Sequence, residues 1–287
     1  MPSMIRIVAL LGLLAPGPIW AQEVTVTPDV VYGHKYGMAL TFDVFEPANA
    51  NGAAVLNIVS GGWRSAWRPH DESQQRYQAL LDAGFTVFAV RHGSSPKFVL
   101  PEIVPDVRRA VRYIRLNARR LGVDANRLGV WGGSAGGHLS LMLGLAADSG
   151  DPSAEDAVLR VRNGVAAVVA YYPPVDLRPL ARGISLENPN TRFPALNFDP
   201  SEASAISPII HVSGDDPPTL LIHGDADGLV PVSNSHEMYA ALQAHGVESK
   251  LVIIPGADHG FRGADADLAM TALVDWFVVH LGARTSN

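Results

Sequence analysis

The 287-residue chain contains no cysteine. Its absence excludes disulfide staples, thiolate nucleophiles and cysteine-ligated zinc, and it suits an oxidising compartment where exposed thiols would be modified. Charge is also scarce, at 17% of residues against 47% hydrophobic. That balance excludes general disorder and allows a sizeable core. The formal net charge is −6, or −7 without residues 1–21, which carry Arg6 and no acid. An acidic chain argues against a nucleic-acid surface. Basic residues do gather at Arg108, Arg109, Arg112, Arg115, Arg119 and Arg120, inside one amphipathic helical segment that reads as a solvated face.

Long apolar runs are lacking too. The start, "MPSMIRIVALLGLLAPGPIWAQE", has one arginine, an apolar run at 7–14, then Pro16, Pro18 and Ala21. This is the layout of a secretory signal peptide cut after Ala21. The run is too short to span a bilayer, and no other stretch could. An exported chain without stable membrane insertion is therefore expected. No histidine–carboxylate spacing matches a zinc site, and no metal or cofactor is expected.

What is present is a regular alternation. Two leading strands at 24–27 and 39–45 precede apolar runs at 53–59, 85–90, 128–131, 165–171, 219–222 and 251–254. Short runs of this kind suit parallel strands buried on both faces. Helical patterns at 72–83, 102–121, 135–147, 232–245 and 265–281 lie between and after them, several stopped by Gly84, Gly122 and Gly246. The pattern predicts an α/β fold over 22–287, a mostly parallel central sheet with helices on both faces. Residues 173–218 hold nine prolines and few apolar runs. So long a connection reads as a small cap or loop insertion over the site.

After the strand at 128–131 comes "GGSAGGHLSLMLGLAA". Gly132-Gly133-Ser134-Ala135-Gly136 fits G-x-S-x-G at a strand-to-helix turn. Such a turn exposes the serine hydroxyl, while small neighbours let strand and helix approach. The Ala135 amide then points at an anion forming beside Ser134. No Lys-Ser/Thr follows as a phosphate-binding loop requires. A serine hydroxyl needs a base, and the base an orienting acid. "DADGLVP" after the strand at 219–222 offers Asp225 and Asp227, with Asp227 deeper in the turn; "GADHGF" offers His259. Both segments leave the C-terminal ends of parallel strands, where open α/β sheets place their sites. His138, one turn after Ser134, is expected to bond neighbouring backbone, and His223 to be a satisfied core histidine. His70 and His92 lie on loops that can reach a pocket.

The chain resembles serine esterases of the α/β-hydrolase superfamily, specifically bacterial feruloyl/acetyl esterase-like members near the hormone-sensitive-lipase group. The resemblance rests on "SGGW", "VRHGSSPKF" leading into "PEIVPDVRRAVRYIR", "LGVWGGSAGGHLSLMLG", "PPTLLIHGDADGLVPVSNSHEMYAAL" and "GADHGF", in order across most of 35–282. It implies Ser134 as nucleophile, His259 as general base and Asp227 as orienting acid. Relatives carry His-Gly-Gly-Gly-Trp where this chain has Val59-Ser60-Gly61-Gly62-Trp63. That turn supplies the second oxyanion amide, from Gly62 with Trp63 or from Gly61 with Gly62. Its usual histidine brace is absent. Trp63, Trp67, His92 and Phe193 are the expected substrate contacts. The implied function is hydrolysis of short-acyl esters, small or polysaccharide-linked, with acetyl and feruloyl groups as candidates. An arylformamidase-like amide hydrolase, a small peptidase and a non-catalytic binding protein are the alternatives. The sequence leaves the oligomeric state open.

Overall fold

The computed structural model describes residues 23–182, 184 and 188–282; the expected leader lies outside them. Eight strands form one sheet: β1 Val24–Lys35, β2 Met38–Pro47, β3 Ala54–Ile58, β4 Thr86–Val90, β5 Leu128–Gly133, β6 Ala167–Tyr171, β7 Thr219–Gly224 and β8 Ser249–Ile254. Their spatial order is β1-β2-β4-β3-β5-β6-β7-β8. β2 runs antiparallel to both β1 and β4, and every other pairing is parallel.

The helices are α1 His70–Asp82, α2 Leu100–Leu116, α3 Ala135–Leu145, α4 Arg178–Ala181, α5 Ser233–Ala244 and α6 Ala264–Leu281. Side chains alternate across each strand, so the sheet builds two cores. Leu56 and Ile58 pack with α2, α3 and α5, while Val55 packs on the other face with Tyr77 of α1 and Phe277 of α6. Because β4 lies on one side of β3 and β5 on the other, the chain reverses its direction of travel there. The loops after β3 and β5 therefore open into one crevice, the usual ligand position in an open α/β sheet.

Three local expectations change. β1 extends to Lys35 because Tyr36 and Gly37, at φ 47° and 78°, turn it into a hairpin with β2. Register shifts between Thr27 and Val30 and between Val31 and Gly33 absorb Pro28 and Gly33. α2 starts earlier than expected, with Pro101 in its first turn and the Glu102 carboxylate accepting from Val99 N at 3.1 Å. The arginines of α2 are not all a solvated face. Arg108, Arg109, Arg112 and Arg115 donate to the carbonyls of Ala146, Tyr32, Val161 and Gly164. They clamp the helix to β1 at Tyr32 and to the loop carbonyls at 146, 161 and 164.

Within 173–218 lie α4 and three short 3₁₀ turns, Pro194–Leu196, Pro200–Glu202 and Pro208–His211. Each 3₁₀ turn begins at a proline, whose missing N–H costs nothing there. Leu177, Ala181, Leu196 and Ile206 join the apolar cluster of α2 and α3, so the insertion is packed down rather than loose.

Candidate active site

Ser134 sits between β5 and α3 at φ 55°, ψ −119°, a conformation that side chains other than glycine rarely adopt. The turn closes because Gly132 and Gly136 lack side chains. A Cβ on Gly132 would lie 2.5 Å from the Gly136 carbonyl carbon, and one on Gly136 would lie 2.7 Å from the Ile58 oxygen.

The Ser134 hydroxyl donates to His259 Nε2 at 2.9 Å, and His259 Nδ1–H donates to Asp227 Oδ2 at 2.7 Å. The Asp227 side chain is wholly buried. Its Oδ1 accepts from the amides of Leu229 and Val230 at 2.8 and 2.9 Å, and its Oδ2 lies 3.3 Å from His223 Nε2. A carboxylate so held can fix the tautomer of His259 and offset a positive charge on it. Asp225 instead accepts from Gly256 N and braces the neighbouring loop. Asp258 accepts from His259 N and Gly228 N, and those amides hold its carboxyl below the usual range. The Tyr172 ring lies 4.6 Å from the His259 ring and shields it from one side. Burial raises the Tyr172 phenol, which stays neutral.

The turn after β3 faces Ser134. Gly61 N donates to the Arg64 carbonyl and Arg64 N returns the bond, both at 3.0 Å. The Gly61 amide is therefore committed, which corrects its expected place among the oxyanion donors. Gly62 and Trp63, at φ 56° and 58°, donate no backbone bond, and Gly62 lines the cleft.

The missing histidine brace is replaced from elsewhere. Ser65 Oγ donates to the Val59 carbonyl at 2.6 Å, and Ser65 N donates to Ser94 Oγ at 2.8 Å. Beneath the turn, Trp63 Nε1–H points at His138 Nδ1 at 3.4 Å, while His138 Nε2–H donates to the Ile206 carbonyl at 2.8 Å. His138 is thus a neutral strut between the turn and the insertion, not a partner of nearby backbone. Complete burial pushes its imidazole down to about 4. Sequence reasoning missed Ser65, Ser94 and the strut, because their partners are remote in the chain.

The cleft in front of Ser134 has a volume of about 510 Å³. Phe193, Leu229, Tyr172 and Ile58 give it apolar surface, while Asn57, Tyr77, Ser60 and four arginines make much of it polar. Ser60 Oγ lines it, buried and without a partner. Of the expected substrate contacts, Phe193 lines the cleft. Trp63 does not, since its ring is 4% exposed and wedged edge-on between His138 and Phe193. Trp67 stands outside the lining, 57% exposed, edge-on to His70. His92 is buried away from the cleft; its Nδ1–H donates to the Gly93 carbonyl at 2.8 Å, and burial pushes it down to about 4. Among the described residues no group of three His, Asp or Glu can hold a metal ion, and no helix is long and apolar enough to cross a membrane.

A family model described as BD-FAE matches residues 42–242. The chain is 29% identical over 267 residues to the esterase LipQ of Mycobacterium tuberculosis, covering 89% of this chain and 61% of that one. It is 28% identical over 233 residues to an acetylxylan esterase of Xylanibacter ruminicola, covering 76% of this chain and 42% of that one. Among solved structures, a truncated carbohydrate esterase from gut microbiota aligns with a TM-score of 0.75 and 26% identity, over 93% of this chain and 99% of that one. The chain therefore spans between two-fifths and three-fifths of the length of these two curated relatives. The sheet order and this alignment together identify the α/β-hydrolase fold.

Proposed function

The chain belongs to the BD-FAE family of α/β-hydrolases, and from that premise we propose that it is an exported serine hydrolase of short-acyl carboxylic esters. The observation that carries the reading is the continuous relay from Ser134 Oγ through His259 to the buried Asp227. As the hydroxyl attacks the acyl carbonyl, His259 Nε2 takes its proton, and Asp227 balances the imidazolium. The developing oxyanion is held by the Ala135 amide, at the start of α3, and by an amide of the Gly62–Trp63 turn. His259 then returns the proton to the departing alcohol, and water, activated by the same imidazole, releases the acid.

A cleft that combines apolar surface from Phe193, Leu229 and Tyr172 with polar groups has room for a short acyl group on a hydroxyl-rich alcohol, such as acetyl or feruloyl esters of plant polysaccharide. The likeness to an acetylxylan esterase points the same way. Ser134→Ala should lose at least about 10⁴-fold in turnover of 4-nitrophenyl acetate and acetylated xylan, with an unchanged circular dichroism spectrum. Turnover retained by that variant would remove the acyl-enzyme mechanism. Faster cleavage of an N-formyl anilide than of the matching aryl ester would move the reaction to amides. Export requires that the protein recovered outside the cytoplasm begin at Gln22; an intact Met1 terminus there would exclude the cleavage.

A further inference from the structure

We propose, on the reading that this cleft hydrolyses esters, that its substrate carries a carboxylate held at the mouth by Arg64, Arg68 and Arg76. The cleft is lined by four arginines, these three and Arg91, and by one acid, Asp43. That acid is taken: Arg91 donates to both its oxygens, at 2.5 and 2.9 Å. Among the described residues Arg64, Arg68 and Arg76 form no ion pair within 4.0 Å. Glu72, one helical turn before Arg76, is not paired with it. Three arginines without an ion-pair partner therefore line the cleft of a chain whose net charge is −6.

The contrast with α2 is instructive. There Arg108, Arg109, Arg112 and Arg115 spend their N–H groups on carbonyls and carboxylates. Around the cleft the forks stay open. Arg76 rests over the buried Trp131 ring, 5.3 Å from its centroid, which anchors it on the wall of the crevice. Its charge is felt at Tyr172, whose ring shields His259. Arg64 belongs to the same turn as Gly62 and lines the cleft with Ser134.

Like charges gathered at one mouth repel each other, and an incoming anion relieves that repulsion. The planar fork of arginine matches a carboxylate in two parallel hydrogen bonds, which a sugar hydroxyl cannot reproduce. A cleft lined by one sign of charge also raises the local concentration of an oppositely charged substrate. Two ester classes carry this chemistry: an acylated alcohol bearing a carboxylate, as in an O-acetyl uronic acid, and a half-ester of a dicarboxylic acid.

Paired substrates of equal size separate the two. 4-Acetoxybenzoate against 4-acetoxybenzamide places the charge on the alcohol half. Mono-4-nitrophenyl adipate against its methyl ester places it on the acyl half. The anionic member of one pair should lead in kcat/KM by roughly 3- to 30-fold at low salt, chiefly through KM, since each exposed pair is individually weak. The lead should shrink in about 0.5 M NaCl, where the screening length falls to a few ångström. In Arg68→Gln/Arg76→Gln the ratio of anionic to neutral ester should collapse towards one, whereas Arg68→Lys/Arg76→Lys should keep part of it. Equal rates within both pairs, or an unchanged ratio in the glutamine variant, overturns the proposal. Calorimetric binding of the same esters to Ser134→Ala reads the preference without turnover. A preference there with no hydrolysis by the native chain would overturn the hydrolase reading and leave the anion site standing.

Discussion

Replacing His138 by leucine should loosen the turn after β3 and the insertion at the same time. His138 is fully buried and joins Trp63 Nε1–H to the Ile206 carbonyl. Leucine has a similar volume, so the cavity left behind is small, but the indole N–H and the carbonyl both lose their partner. A buried polar group left unpaired costs about 1–3 kcal/mol. The Trp63 contact is long at 3.4 Å and belongs at the low end; the 2.8 Å bond to Ile206 belongs nearer the middle. A total loss of about 2–4 kcal/mol follows. Turnover should fall as well, because the Gly62 and Trp63 amides ride on the ring that His138 supports. Full loss of one oxyanion donor costs about 100- to 1000-fold, so partial displacement should cost about tenfold. Urea unfolding and the kcat for 4-nitrophenyl acetate measure the two effects. Glutamine can accept from Trp63 and donate to Ile206 with one amide, so His138→Gln should recover most of both. A leucine variant within about 0.5 kcal/mol of the native chain and equal in kcat would refute the strut.

Asp227→Asn should lower kcat by about 10⁴-fold by setting the wrong tautomer of His259, whereas Asp225→Asn should cost less than about tenfold because its carboxylate only braces Gly256; equal losses in a kinetic comparison would reopen the choice of acid. His92 and His138 have folded-state values near 4, below the ordinary 6.5, so the unfolded chain binds their protons first. Their stability is complete above about pH 6.5 and is lost as pH falls towards 4, at up to about 3 kcal/mol each. The drop in unfolding free energy between pH 7 and 4.5 should be smaller in His138→Gln than in the native chain, and identical slopes would contradict the assignment. Gly62→Ala places a Cβ at φ 56° and 3.3 Å from the Phe193 ring. It should cost about 1–2 kcal/mol and reduce kcat, and an unaltered enzyme would show that this turn is not held where the cleft needs it.

The fold was legible because its signals are local and repeated. Apolar runs such as "AVLNI" and "TVFAV" in β3 and β4 are short and buried at every position, as parallel strands covered on both faces require. The errors fell where tertiary pairing overrides the local pattern. Pro28 and Gly33 look like strand breakers, but as bulges on an edge strand they are tolerated, and β1 runs through both. The arginines of α2 carry no sequence mark of what they face. Only the layout of the loops at 146, 161 and 164 decides that they clamp carbonyls instead of meeting water.

The site divides along the same line. Ser134, Asp227 and His259, each in a short, patterned turn after a strand, are side chains whose meeting at one sheet edge could be expected from sequence. Trp63 was misread for a reason that the turn itself explains. A large aromatic beside two glycines at a cleft suggests a wall for substrate, yet the glycines let the backbone reverse so sharply that the ring turns inward. Gly61 is used up closing that reversal with Arg64, so only amides further along the turn are left without a backbone partner. Where relatives brace this loop with a histidine inside the motif, this chain spreads the brace over Ser65, Ser94 and His138, which lie 6, 29 and 75 residues from their partners. A brace so dispersed leaves no motif to find, but it has a mechanical consequence. Each of its contacts is made before any substrate arrives, so on the proposed mechanism the amides of this turn need no rearrangement during the reaction, which is the condition under which oxyanion donors contribute most.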